Sequence, residues 1–285
     1  MAIAGQLGLI QRGARQWDSW RHHHPDLWPD LSHSDLGGHT LNELNLERAD
    51  LTGANLDGAS LAHANLTQAT LTNADLRNAD LTQARLVAAD MVAIQLQHAT
   101  LPRAILDDAN LIGADLRYAN LHHATLAGAN LTGANLFRAN LTRATLVGAK
   151  LYQTQLTQAI LSEVSFHEAQ LDRASLQDCE CAGAHFYNTT LRLANLKQAH
   201  LNGTCLYNVD FAGSNLAGAD FRGARLQGVT FQGATLSQAI FRGTHLTDVS
   251  FDDARVDGID ISEAIALRVT GLAAKENCDR WGYPY

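Results

Sequence analysis

Residues 49–71 read ADLTGANLDGASLAHANLTQATL, with a leucine at Leu51, Leu56, Leu61, Leu66 and Leu71 and an alanine two residues before each. The pattern extends outward in both directions. From Leu31 to Ile261 every fifth residue is apolar, 47 positions in all, without insertion or deletion. Leucine fills 36 of them, and the rest are Met91, Phe166, Cys181, Phe186, Phe211, Phe221, Phe231, Phe241, Phe251, Val256 and Ile261. We call this the centre position. Two residues before it, from Ala49 to Ile259, 31 of 43 positions are alanine. The residue just before it is Asp, Asn, Ser or Thr in 32 of 47 cases, and 16 of the 22 glycines lie two residues after a centre.

A period of five is neither the 3.6 of a helix nor the 2 of a strand. An α-helix would scatter these leucines around its circumference, so helix is excluded as the repeating unit. A short extended piece followed by a corner fits, and Asp, Asn, Ser, Thr and Gly supply the turn chemistry. Within the extended piece the centre and the residue two before it point to one side. A large row and a small row then interdigitate at the density of a protein interior. This accounts for a chain that is 46% hydrophobic but only 6% aromatic.

The segment resembles the pentapeptide-repeat family, whose consensus is A-[DN]-L-x-x. The stretch RGARQWDSWRHHHPDLWPDLSHSDL (12–36) is similar to the W-x-x-W-R…P-D-L-S leader that precedes the repeats in many cyanobacterial members. The resemblance implies an all-β solenoid, a right-handed quadrilateral β-helix with four repeats per coil. The repeats would then make about 12 coils, a rod roughly 55 Å long at the inter-strand spacing. Residues twenty apart become vertical neighbours. Phe211, Phe231 and Phe251 should form one ladder, Phe221 and Phe241 a second on the opposite face, and Phe166 and Phe186 a third.

Three segments are expected: a leader over residues 1–30 capping the first coil, the β-helix over 31–261 and a C-terminal cap over 262–285. A solenoid needs its ends covered. Ile3, Leu7, Ile10, Ala14 and Trp17 follow helical spacing, which predicts one amphipathic helix over 2–21, broken by Pro25 and Pro29. At the other end Thr270 is placed to cap a short helix through about Cys278, with Trp281, Tyr283 and Tyr285 as an aromatic cluster.

The net charge of −8 argues against generic nucleic-acid binding. No apolar run approaches a membrane span, and no signal-peptide pattern is evident. Cys179, Cys181, Cys205 and Cys278 are too few and too irregular for a disulfide framework, which fits the cytoplasm. Cys179, Cys181 and His185 give C-x-C-x3-H, but in this register both cysteines point inward and the histidine outward, so they do not converge on a metal. His22–His24 and His122–His123 read as solvated histidines. The Asn-Leu-Thr triplets at Asn65, Asn130 and Asn140 arise from the repeat itself. No nucleotide-binding, hydrolase or zinc-protease motif is present. An interior filled by Leu and Ala leaves no ligand pocket, so neither enzyme activity nor a cofactor is expected.

What remains is surface. Residues 26–115 carry 13 acids and 4 basic residues, whereas 116–162 contain no acid against Arg117, Arg138, Arg143 and Lys150. Residues 248–263 are acidic again, 6 against 1. Val92, Ile112 and Tyr152 line up on one face, with Thr132 completing the column and Gly113 and Gly133 beside it. This is the first candidate for a partner-binding surface. The acid-free stretch nearby points to an acidic protein partner. Tyr187 over Tyr207, beside Asn188 over Asn208, is the alternative surface; such ladders also serve simply to strengthen stacking. The expected function is a rigid, non-enzymatic scaffold for another protein, as a monomer or an end-to-end dimer, with no direct nucleic acid and no membrane. Two alternatives stand beside it: a DNA mimic like the family's gyrase-protecting members, and a purely structural solenoid.

Overall fold

Take the repeat Ala49–Gly53 and ask where each of its N–H groups goes. The Ala49 N–H donates to Leu46 O at 3.0 Å, closing a turn within the chain. The Asp50 N–H donates to Pro29 O at 2.8 Å in the preceding coil. The Leu51 and Gly53 N–H groups donate to Thr70 O and Thr72 O in the following coil, at 2.7 and 2.9 Å. The Thr52 N–H has no coil neighbour, and the Asp50 carboxylate accepts it at 2.9 Å. The consensus follows from this accounting. Asp or Asn before the leucine captures the N–H two residues on, as Asn65, Asp115, Asn130 and Asn215 also do. The residue after that takes a positive φ, as the third residue of a type II turn must. Many of these positions are not glycine, Asn73 and Arg103 among them.

The computed structural model describes residues 4–272. They fall into two compact units, Met1–Thr145 and Leu146–Tyr285. In each unit the coils are joined by parallel pairing of residues twenty apart, for example Asp50 with Thr70 and Glu180 with His200. The architecture is a parallel β-solenoid with four repeats to a coil.

Every centre from Leu31 to Ile261 is buried except Val256, and so are the alanines two before them except Ala254, which is half-buried. The expected phenylalanine ladders are present in the second unit. Phe211, Phe231 and Phe251 stack at 5.2 and 5.1 Å, Phe221 and Phe241 at 4.6 Å, and Phe166 and Phe186 at 4.9 Å. The first two ladders also meet edge to face across the coil interior, Phe231 with Phe241 at 5.8 Å. Such pairs add about 0.5–1.5 kcal/mol each beyond area burial. Threonines that replace the inward alanine return their hydroxyls to the backbone, as Thr204 does to Leu201 O at 2.7 Å.

One side of the second unit is strand rather than turn. Strands β1 (His185–Tyr187), β2 (Cys205–Tyr207), β3 (Arg225–Gln227), β4 (His245–Ser250) and β5 (Ile265–Thr270) pair in that order, all parallel. One coil earlier the same side carries Ala169, whose N–H closes a turn onto Phe166 O at 3.1 Å. From β1 onward the equivalent residues are Thr189, Val209, Val229, Val249 and Val269. Branched side chains suit extended backbone, but Val164 and Thr204 still close turns on other sides at 3.3 Å, so branching permits the open corner without dictating it.

The leader differs from the expected single helix over 2–21. It forms α1 (Ala4–Gln11) and α2 (Ala14–His23), separated at Gly13 with φ 94°. That conformation is natural only to glycine, and it turns the chain so that Ile10 and Trp17 are both buried. Of the other predicted face residues, Ile3 lies outside the described residues. The leader also bonds to the first coil. In later coils Asn65 O and Thr67 O accept from Leu46 N–H and Arg48 N–H. The first-coil equivalents, Asn45 O and Glu47 O, have no earlier coil, and they accept from Trp17 Nε1–H at 2.7 Å and an Arg21 guanidinium N–H at 3.1 Å. Gln6 Oε1 likewise accepts the Asp30 N–H at 2.9 Å.

The coil path runs beyond Ile261 into β5. Thr270, expected to cap a helix, instead ends this strand, and its carbonyl accepts the Phe251 N–H at 2.9 Å. Cys278, Trp281, Tyr283 and Tyr285 lie outside the described residues. No helix among the described residues is long and apolar enough to cross a membrane.

Candidate interaction surfaces

In the first unit Val92, Ile112 and Thr132 sit on successive coils of one corner. The Ala93 N–H donates to Ile112 O at 2.9 Å and the Gly113 N–H to Thr132 O at 3.0 Å. Val92 is half-buried and Ile112 is 39% exposed. Gly113 and Gly133 face open space, with no atom near where a Cβ would stand. Thr132 turns its hydroxyl to Asn130 Oδ1 at 2.7 Å. Tyr152 belongs to the second unit, where it is 40% exposed on a coil that also exposes Val147 and Ile160.

The alternative surface lies wholly in the second unit. Tyr187 on β1 and Tyr207 on β2 are register partners, and their rings stack at 4.7 Å with planes 7° apart. His167 extends the ladder at 5.5 Å from Tyr187. Asn208 Nδ2–H donates to Asn188 Oδ1 at 3.1 Å. Tyr187, Asn188 and Asn208 are exposed and Tyr207 half-buried.

Sequence reading missed a further cluster in the first unit. His98 and Tyr118 stack at 4.9 Å with their ring planes parallel, and Phe137 meets Tyr118 edge-on at 5.7 Å. The Arg138 guanidinium lies over Phe137 at 5.2 Å. The twenty-residue register already places 98, 118 and 138 in one column. The signal was weak because no two of these residues are alike. Leu193, exposed at φ 55°, was also missed; its side chain covers Gly213 in the next coil.

The charge pattern has a local cause that composition hides. Asp75 with Arg77, Asp115 with Arg117 and Asp220 with Arg222 form fork-shaped ion pairs inside single repeats, at 2.6–2.7 Å. The Arg77 side chain, with its backbone N–H, holds the Asp75 carboxyl below its usual range. For Asp115 and Asp220 burial alone raises the value, and the hydrogen bonds from Arg117 and Arg222 outweigh it and bring it down. Arg117 in the acid-free stretch is therefore already neutralised by Asp115.

The Cys179 and Cys181 sulfurs lie 3.2 Å apart and are buried, while His185 is exposed on β1. Contact with the Cys179 thiol, together with burial, pushes the Cys181 thiol well above its usual range. Among the described residues no three His, Cys, Asp or Glu side chains are placed to hold a metal ion.

The family model for pentapeptide repeats matches in eight copies, at residues 30–68, 59–94, 89–128, 104–143, 139–178, 179–214, 204–243 and 231–265. The chain belongs to the pentapeptide-repeat family. Among solved pentapeptide-repeat structures it is similar to HetL, a protein involved in heterocyst differentiation regulation from the cyanobacterium Nostoc sp. strain PCC 7120. The identity is 29%, over 86% of this chain and 92% of that one, with a TM-score of 0.31. It is also similar to trypsin-treated QnrB1, a plasmid-mediated fluoroquinolone resistance protein, at 16% identity over 79% of this chain and 88% of that one, TM-score 0.24. Rfr23 from the cyanobacterium Cyanothece 51142 is 28% identical over 47% of this chain and 62% of that one, TM-score 0.12. No curated protein matches the chain. At these TM-scores nothing about a partner passes from the three to this pentapeptide-repeat chain.

Proposed function

We propose that this pentapeptide-repeat protein is a non-enzymatic scaffold, working in the cytoplasm, that presents a rigid face to an acidic protein partner. The observation that carries the reading is the Ile112 corner. An exposed apolar side chain stands beside Gly113 and Gly133, which leave open space for a partner's backbone. The corner is held by coil-to-coil hydrogen bonds, so little order has to be gained on docking. In the second unit, taken by itself, exposed Tyr152 is the proposed anchor, since tyrosine offers a large contact area with little entropy to lose. A DNA mimic wants an unbroken acidic surface, and residues 116–162 interrupt it.

The test is capture of a partner from the native host. Ile112→Arg with Tyr152→Ala should leave the fold intact, because both side chains are exposed, and should abolish capture of the main partner. The control is Tyr187→Ala with Tyr207→Ala. If the first variant keeps full binding and the control loses it, the docking surface is the tyrosine–asparagine ladder instead.

A further inference from the structure

The leader treats its tryptophans in opposite ways. Trp17 is fully buried, with its N–H given to Asn45 O. Trp28 is 66% exposed, the most of any exposed large hydrophobic side chain among the described residues. It forms one wall of a cleft of about 490 Å³ between α2 and the first coil, which Asp18, Arg21, Glu43, Glu47 and Arg48 also line. The cleft lies wholly within the first unit.

The charges around the cleft are not equally engaged. Arg21 donates to Leu27 O at 2.7 Å and to Glu47 O at 3.1 Å, and the Glu47 carboxylate is the charge acting on it. Arg48 turns its Nε–H to Gln68 in the next coil at 2.8 Å. The carboxylates of Asp18 and Glu43 make no hydrogen bond or ion pair among the described residues. The surrounding sequence, residues 26–115, carries a net −9 from its 13 acids and 4 basic residues. The cleft's own lining has three carboxylates, Asp18, Glu43 and Glu47, against Arg21 and Arg48, and an exposed indole face beside the unengaged carboxylates of Asp18 and Glu43 selects a cation. The acidic excess of the lining and of the chain as a whole disfavours nucleic acid.

We propose that this cleft receives a lysine or arginine side chain from a basic segment of a partner protein, its cation over the Trp28 indole and between the carboxylates of Asp18 and Glu43. The inference shares with the proposed function only that the ligand belongs to a protein. It uses none of the residues of the Ile112 corner.

The probe is an acetylated, amidated pentapeptide alternating lysine and glycine, titrated into the full chain. The Trp28 indole N–H resonance, assigned by its loss in Trp28→Ala, should shift and saturate. By calorimetry Trp28→Ala should weaken binding about tenfold, the scale of a partly desolvated cation–π contact. Asp18→Asn with Glu43→Gln should also weaken it and should flatten its salt dependence. All three side chains point to solvent, so melting temperatures should match the unaltered chain. Four results overturn the proposal: no binding of the lysine peptide, affinity unchanged in either variant, tighter binding of the glutamate–glycine counterpart, or tighter binding of a single-stranded oligothymidylate. Partner capture through the Ile112 corner without lysine-peptide binding would leave the proposed function standing and remove this cleft.

Discussion

Each position of the repeat is constrained by a different force. The centre is constrained by burial, since these leucines have essentially no solvent exposure. Leu136→Asp would place a carboxylate among apolar neighbours with no partner, at a cost on the order of 3–5 kcal/mol. Chemical denaturation should show that loss, and wild-type stability would mean the leucine row is not inside. The position before the centre is constrained instead by a hydrogen bond, which explains why Asp, Asn, Ser and Thr are interchangeable there. Each can offer a side-chain oxygen to the N–H two residues on, as Thr230 does to Gln232 at 3.2 Å, although after Thr125 and Thr190 that N–H goes instead to Asp107 and Asp172 of the preceding coil. The alanine row is set by space, because it faces the large centres across the interior.

At the level of elements, most of the solenoid is corner, and the named strands form one parallel sheet in the second unit. The leader is the element whose role can be isolated. Its side chains supply donors to Asn45 O and Glu47 O, carbonyls that in later coils accept from the coil before. Trp17→Phe should lose the hydrogen bond to Asn45 O and leave a cavity where the fully buried indole stood, about 2–3 kcal/mol together. Deleting residues 1–28 should remove the whole cover and expose the first coil's edge as a template for pairing. Light scattering should then show association or aggregation. A truncated chain that stays monomeric at an unchanged melting temperature would show that the leader does not close this edge.

For the molecule as a whole, the ion pairs inside repeats make stability depend on pH in one direction. Asp75, Asp115 and Asp220 have folded-state values below the ordinary aspartate range. As pH falls, the unfolded chain therefore takes up protons first. The stabilisation is complete above the ordinary value of about 3.9 and is lost as pH drops below it through the folded values. Melting temperature should hold level from pH 7 to 5 and fall between pH 4 and 2, and replacing Arg77, Arg117 and Arg222 with glutamine should shrink that fall. A melting temperature that rises on acidification would show that these pairs do not stabilise the fold. The sequence by itself determined the inward rows and the corners, because each depends on a strictly repeated spacing that no insertion disturbs. The family resemblance supplied the four-sided coil and, with its twenty-residue period, the phenylalanine ladders. Only the tertiary structure decided that the leader breaks at Gly13, that Thr189 and Val209 open a corner which Ala169 closes, that His98 stacks on Tyr118, and that Trp28 stays in solvent while Trp17 is buried. These features turn on contacts between residues distant in the chain, where the choice between two allowed conformations rests on what the neighbouring coil or helix presents, and a periodic pattern carries no record of that.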